Sequence, residues 1–323
     1  MLRRQYGINQ VVHIAAPTGS AAFNVGGLTI HNLCKISPSK SNETISGKKL
    51  QGLRATFHGT KVILIDERSQ ISAQIFGGME RVVAQSVYGG QNHSSNWGRI
   101  PVVILFGDDY QLPPVIQKGA FDMYNSSVPN TGTGDELRGF QELKLFSLDV
   151  MELTQPQRQK ERKFIQILKE ARHDNLSDAS CHILSRLHIG EITDEDARQR
   201  IEKEALFAFS TNIKKCKHNA KALSELCCPG NPIAEISPIF CFSNMGRRSH
   251  FEHQEGSIPL STYICRGARV AIKGRNINPA IGLFNGAMGT VVDIIYNVNE
   301  KPTLYNDKDP SSPPKRCLPR YVE

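Results

Sequence analysis

Two short apolar runs, each ending in carboxylates, constrain this chain more than any other feature. Val62-Ile63-Leu64-Ile65 leads directly into Asp66-Glu67, and Val102-Val103-Ile104-Leu105-Phe106 leads into Gly107-Asp108-Asp109-Tyr110-Gln111-Leu112-Pro113-Pro114. Branched apolar runs of this length, bounded by polar and turn residues, read as buried strands of a parallel sheet. In an open α/β sheet, ligands collect outside the carboxyl ends of the strands. Two strands ending in acids there can hold a Mg²⁺ ion and polarise a water. Acidic residues end many strands by chance, so Asp66-Glu67 alone says little. The second segment, with Gln111 and a rigid Leu-Pro-Pro exit, makes chance a poor account of both.

The flanking pattern is α/β. Val11–Ala16 reads as a strand, followed by a turn at Pro17–Gly19 and a small-residue helix from Ser20. Gly26-Gly27 ends that helix, because glycine readily takes the left-handed cap conformation. A second helix follows from Thr29, and the Ser- and Lys-rich stretch Ser37–Leu50 reads as a loop. Lys61–Asp66 and Val102–Phe106 are strands around a helix over Ala73–Val87, while Gln91–Arg99 and Asn125–Gly139 read as surface loops.

Near residue 150 the texture changes. Lys160–His173 has helical spacing, with Phe164, Ile167, Leu168 and Ala171 on one face. Ala205–Ser210 reads as a strand and Asn212–Leu226 as a helix, so the alternation restarts in a second domain. From Ile258 onward the pattern is β-rich, with strands over Ala268–Ile272 and Gly289–Tyr296, and Asn297–Pro319 reads as loose.

A length of 323 residues fits about two domains. No apolar run approaches the length that spans a bilayer. The formal net charge of +8 suits a polyanion partner, since neutralising phosphates releases counterions; a generic basic protein carries the same balance. Eight cysteines without a CxxC pair point to a reducing compartment. His250 and His253 with Cys241 and Cys265 match no standard zinc spacing. Met1–Tyr6 has no apolar signal core.

The motifs have a family order. Pro17-Thr18-Gly19-Ser20-Ala21-Ala22 through His31 resembles the segment after the first ATPase motif of the petite-integration-frequency (PIF)-type DNA helicases, which are RecD-related members of superfamily one. Lys61–Ser72 resembles their Walker B segment, Gly107–Val115 their GDxxQLPP sensor, and Glu152–Gln159 their Leu…Arg-Gln segment. Gly267–Val292, containing Gly282–Gly286, resembles the later NGxxG segment, and Leu318–Val322 the strand beyond it.

This resemblance implies two RecA-like parallel-sheet domains with a small β-rich C-terminal element. The expected parts are a first domain over 1–150, the start of a second over 151–257, and its β-rich segment over 258–323. It implies ATP as substrate, Mg²⁺ as cofactor and single-stranded or forked DNA as partner. The activity would be 5′-to-3′ unwinding in DNA repair, recombination and genome maintenance, in nucleus or mitochondrion. By the same resemblance, Asp66 holds Mg²⁺, Glu67 orients or deprotonates the attacking water, and Asp108 joins the nucleotide site. Gln111 contacts the γ-phosphate, and Arg158 acts as an arginine finger unless it is a surface ion-pair residue. Pro17, Thr18, Gly19, Thr29, His31, Asn285 and Gly286 lie along DNA, with a satisfied helix histidine as the alternative for His31. Arg266, Arg269, Lys273 and Arg275 form a basic run that either tracks phosphates or is a solvated face.

The sequence departs from the family pattern in three places. Arg68-Ser69-Gln70 stands where an apolar-Ser-Met run is usual, and Asp109-Tyr110 where aromatic pairs are more common. No GK[ST] occurs anywhere, and Ser46-Gly47-Lys48-Lys49, the nearest approach, lacks the hydroxyl that a phosphate loop uses for Mg²⁺. The expectation is an incomplete chain of an active enzyme, itself without ATP turnover. The alternative is a degenerate helicase that binds single-stranded DNA independently of ATP.

Overall fold

The apolar runs assemble side by side. The computed structural model describes residues 11–36, 45–88, 96–114, 119–128, 134–146, 149–236, 262–273, 277–278, 281–296 and 319–322. Strands β1 (Val12–Ala16), β2 (Leu28–Thr29), β3 (Val62–Ile65) and β4 (Val102–Leu105) form one parallel sheet in the order β2-β1-β3-β4. Ala16 pairs with Thr29, Ala15 with Ile65, and Ile65 with Leu105, so the carboxyl ends align along one edge.

Strand alternation splits the sheet into two unlike faces. Ala15, Ile63 and Ile65 are fully buried, and Val103 and Leu105 pack on the same core. On the other side of β4, Val102, Ile104 and Phe106 are 39%, 41% and 44% exposed. A parallel sheet normally buries both faces. Here, among the described residues, β4 is an edge strand with one apolar side open.

Helices α1 (Gly19–Asn24), α2 (Ile30–Cys34), α3 (Gly47–Phe57), α4 (Ala73–Tyr88), α5 (Ala120–Asn125) and α6 (Gly134–Phe146) accompany the sheet. The α4–α6 contact is the tightest. A Cβ added at Gly77 would lie 1.9 Å from the Asp135 carbonyl oxygen, and one at Gly139 2.0 Å from that of Ala73. Arg81 grips Asp135 with two guanidinium bonds of 2.6 and 3.0 Å, and Arg138 reaches Glu80 at 2.5 Å. Trp97 donates its backbone N–H to Glu80 and its indole N–H to Glu142. Burial, with the Glu80 charge beside it, pushes the Glu142 carboxyl up to about 7.

Two stretches read as loops contain helix among their described residues. Of the expected loop Ser37–Leu50, residues 37–44 lie outside the described residues, and α3 starts at Gly47 because Leu53 and Phe57, one helical turn apart, anchor it in the core. Asn125–Gly139 overlaps α6, whose buried acids Asp135 and Glu142 are stabilised by arginine and tryptophan partners rather than by apolar spacing. Trp97, in the expected loop Gln91–Arg99, is buried and fills the core beside Phe76 and Phe146.

Contacts divide the chain into units Met1–Ile192 and Thr193–Glu323. The first also contains α7 (Arg162–Arg172) and α8 (Asp178–Ser185). The second holds α9 (Glu195–Glu204), α10 (Asn212–Leu226) and three antiparallel pairs. These are β5 (Ala234–Ile236) with β6 (Thr262–Ile264), β7 (Arg269–Ala271) with β8 (Met288–Thr290), and β9 (Ile294–Tyr296) with β10 (Pro319–Val322). The expected strand over Ala205–Ser210 is not formed. Arg269 instead donates to the Glu204 and Ala205 carbonyls at 2.9 and 3.2 Å, so a side chain takes bonds that a ladder would need. The expected strand Gly289–Tyr296 is broken between β8 and β9, where Asp293 accepts from the Ile294 N–H at 2.9 Å.

Candidate functional site

The sheet's carboxyl edge is built from three adjacent strand exits. Phe106 N–H donates to the Ile65 carbonyl at 2.7 Å and Asp66 N–H to that of Ala15 at 2.9 Å. Asp66 therefore sits between the exits of β1 and β4. Glu67 follows with φ 53° and ψ 49°, in the left-handed region. For a residue with a Cβ this costs roughly 1–2 kcal/mol, which the next turn must offset. That turn is the 3-10 segment Arg68–Gln70, held by an Arg68 N–H bond of 2.9 Å to the Phe106 carbonyl. Gly107 permits the approach, since a Cβ there would lie 2.7 Å from the Arg68 nitrogen. Asp66 and Glu67 are half-buried, and no side-chain hydrogen bond or ion pair among the described residues engages either carboxylate.

The two departures at Arg68 and Asp109 meet each other. Arg68 donates from Nε to Asp109 Oδ1 at 3.0 Å and from Nη2 to Oδ2, a two-point grip across the exits of β3 and β4. Planar guanidinium matches carboxylate in this geometry as lysine could not. Beyond it, the chain turns: Gln111 N–H donates to the Asp108 carbonyl at 2.9 Å, and Tyr110 N–H to Asp108 Oδ1 at 3.0 Å. Arg172, from α7, donates to Asp108 Oδ2 and lies over the Tyr110 ring at 4.6 Å. Partial burial opposes ionisation of Asp108. The Tyr110 N–H, the Arg172 guanidinium and the Gln111 side chain outweigh it and hold the carboxyl below its ordinary value.

Asp66, Glu67, Asp108 and Gln111 are thus carried on neighbouring strand exits. Arg158 is exposed in an irregular stretch, and among the described residues no hydrogen bond or ion pair joins it to those four. On the β1 and β2 exits, Pro17 is half-buried, Thr18 exposed and Gly19 buried. Thr18 and Thr29 spend their oxygens as helix N-caps, accepting from Ala21 N–H at 3.3 Å and Asn32 N–H at 3.2 Å. The Thr29 hydroxyl keeps its proton for another acceptor, while that of Thr18 also meets the Ser20 hydroxyl at 3.3 Å. His31 has a buried Nε2 without a hydrogen-bond partner among the described residues, and burial lowers its pKa.

Asn285 and Gly286 form an exposed turn in the second unit, where Gly286 N–H donates to Ile272 at 2.7 Å. The basic run is partly spent on carbonyls: Arg266 donates to Gly230, and Arg269 to the end of α9. Arg275, His250, His253 and Cys241 lie outside the described residues.

Sequence reasoning singled out neither the Arg68–Asp109 pair nor Arg172. The first had a usable signal: two motif departures of opposite charge on adjacent strand exits. Arg172 had none, being one more cation on an amphipathic helix.

The chemistry of the edge fits a nucleotide-bound Mg²⁺. Such an ion takes one or two carboxylates and finds its other ligands in phosphate and water, and Asp66 offers an unengaged carboxylate. Among the described residues no group of three or more His, Cys, Asp or Glu forms an all-protein metal cage. Nor is any helix among them long and apolar enough to cross a membrane.

Residues 2–181, more than half of the chain, match the family described as PIF1-like helicase. The chain is 26% identical over 295 residues to the ATP-dependent DNA helicase PIF1 of Xenopus laevis, covering 87% of this chain and 40% of that protein. It is 29% identical over 286 residues to the ATP-dependent DNA helicase RRM3 of Saccharomyces cerevisiae, covering 87% of this chain and 35% of that one. Among solved structures, a Pif1 helicase studied for unwinding of forked double-stranded DNA superposes with TM-score 0.58 at 24% identity, over 92% of this chain and 63% of that one. Bacteroides Pif1 bound to single-stranded DNA gives 0.57 at 22%, over 98% and 66%. These similarities give the RecA-like fold. The chain spans well under half the length of the two curated relatives described.

Proposed function

Since the chain belongs to the PIF1-like helicase family, we propose that its sheet edge is the ATP site of a DNA helicase motor, coupling hydrolysis to 5′-to-3′ unwinding in DNA repair, recombination and genome maintenance. The observation that carries this reading is the pairing of β3 with β4, which sets Asp66-Glu67 beside Asp108 at one edge. Phosphoryl transfer asks a protein mainly for positioning and charge neutralisation. Asp66 is the carboxylate that would hold a Mg²⁺ ion, which would supply charge neutralisation at the phosphates. Glu67, turned out of the strand by its left-handed backbone, orients the attacking water and accepts its proton. Gln111 faces the γ-phosphate, and Arg158 supplies the arginine finger. Pro17, Thr18, Gly19, Thr29 and His31 lie along single-stranded DNA, where small residues and hydroxyls let backbone and phosphate approach closely. Asn285 and Gly286, in the second unit, are DNA-contacting residues as well.

The 323 residues hold no GK[ST], and among the described residues β4 is an edge strand of the parallel sheet. Both observations favour a site that a further strand and phosphate loop complete. Joined to such a segment, the chain gains ATP hydrolysis stimulated by single-stranded DNA. Glu67→Gln then lowers turnover by about 10²–10⁴-fold, the usual worth of a general base, while nucleotide binding persists. Turnover unchanged by Glu67→Gln rejects the assignment.

The absence of GK[ST] also favours a second reading: a degenerate helicase that grips single-stranded DNA without ATP. In that case DNA affinity of the chain is the same with and without ATP, and the added phosphate loop restores nothing.

A further inference from the structure

Arg172 carries contacts that no motif marks. It stands in the last turn of α7, donates to Asp108 Oδ2 and lays its guanidinium 4.6 Å from the Tyr110 ring centroid. The adjacent His173 meets that ring edge-on at 5.3 Å. Asp108 in turn closes the turn that bears Gln111, through the Tyr110 N–H at 3.0 Å and the Gln111 N–H at 2.9 Å, and its carboxylate also accepts from the Gln111 side chain. We propose that Arg172 is a positioning residue for Gln111: it fixes the Asp108 carboxylate and the Tyr110 ring, and through them the glutamine amide.

The physical case is one of orientation. Gln111 is exposed, and a free glutamine side chain has substantial rotamer entropy to lose when it is held. Asp108 can restrain it only if its own rotamer is fixed. Arginine does this because one planar group bonds a carboxylate at its edge and covers an aromatic ring with its face. Lysine keeps the charge but cannot do both. Side-chain exposures of 40% for Arg172 and 24% for Asp108 rule against a large role in holding the fold, since exposed pairs contribute little stability.

The inference rests on the motor reading only for its catalytic meaning. Its test uses the 323-residue chain without ATP or DNA, so failure of either idea is seen separately. In ¹⁵N-labelled protein, the Gln111 side-chain amide signals are identified by their loss in Gln111→Glu. Arg172→Met is expected to move them to free-glutamine positions and to speed Tyr110 amide exchange about two- to fivefold, the range an exposed pair supports. Arg172→Lys gives intermediate Gln111 positions, and Arg162→Met on the same helix leaves them in place. Unmoved Gln111 signals and Tyr110 exchange in a folded Arg172→Met chain overturn the proposal. If that variant unfolds, wild-type Gln111 positions in Arg172→Lys overturn it instead.

Discussion

Arginine–carboxylate pairs hold this molecule together in two places and serve different ends. Between α4 and α6, Arg81–Asp135 and Arg138–Glu80 lie in the core, where Asp135 and Glu80 are 4% and 1% exposed. At the sheet edge, Arg68–Asp109 and Arg172–Asp108 have acids that are 20% and 24% exposed and arginines that are 27% and 40% exposed. Removing one partner of a buried pair strands a charge away from water, whereas an exposed partner is simply rehydrated. The same chemistry therefore secures the fold in the core and only aims side chains at the edge.

Breaking the core pair is expected to have the largest effect. Asp135→Ala should cost about 3–5 kcal/mol, the usual penalty for orphaning a buried charge. Thermal or urea unfolding reads this directly, and a loss no larger than that of an exposed pair would erase the contrast.

Acid–base behaviour sharpens the comparison next. The Glu142 carboxyl, raised to about 7 in the fold, is protonated there at pH values where the unfolded chain has ionised it. Its contribution is fully present below the ordinary value of about 4.5 and fades as pH rises through about 7. Wild-type stability should fall over that window by on the order of 1–3 kcal/mol, and Glu142→Gln, which can still accept from Trp97, should flatten the curve. Identical pH profiles would remove Glu142 from the account.

The edge pairs should give the smallest stability change. Arg68→Met and Arg172→Met are each expected to cost about 1 kcal/mol or less. Single-stranded-DNA binding supplies a further contrast, because its affinity should drop steeply with salt when phosphates are neutralised. Affinity indifferent to salt would argue against a phosphate-tracking surface.

The edge was legible in the sequence and the core contact was not. Branched runs ending in Asp66-Glu67 and Asp108 announce strand exits because strand geometry follows from local residue type. The second helix was legible from Thr29, which caps it, whereas the first starts at Gly19, one residue before the expected Ser20, because the Thr18 side chain caps it. By contrast, α6 binds α4 through buried charges and two glycines, and neither leaves an apolar period to read. Trp97 was hidden for a similar reason: its burial depends on Glu80 and Glu142, which come from distant helices. Arg172 pairs with a residue 64 positions away, and nothing local encodes that choice.

As proposed, Asp66, Glu67, Asp108 and Gln111 belong to an ATP site whose phosphate loop the 323 residues do not supply. The direct test is steady-state ATP hydrolysis by the purified 323-residue chain with Mg²⁺, with and without single-stranded DNA. Turnover no higher than that of Glu67→Gln under both conditions is the predicted result. DNA-stimulated turnover that Glu67→Gln abolishes would contradict the claim.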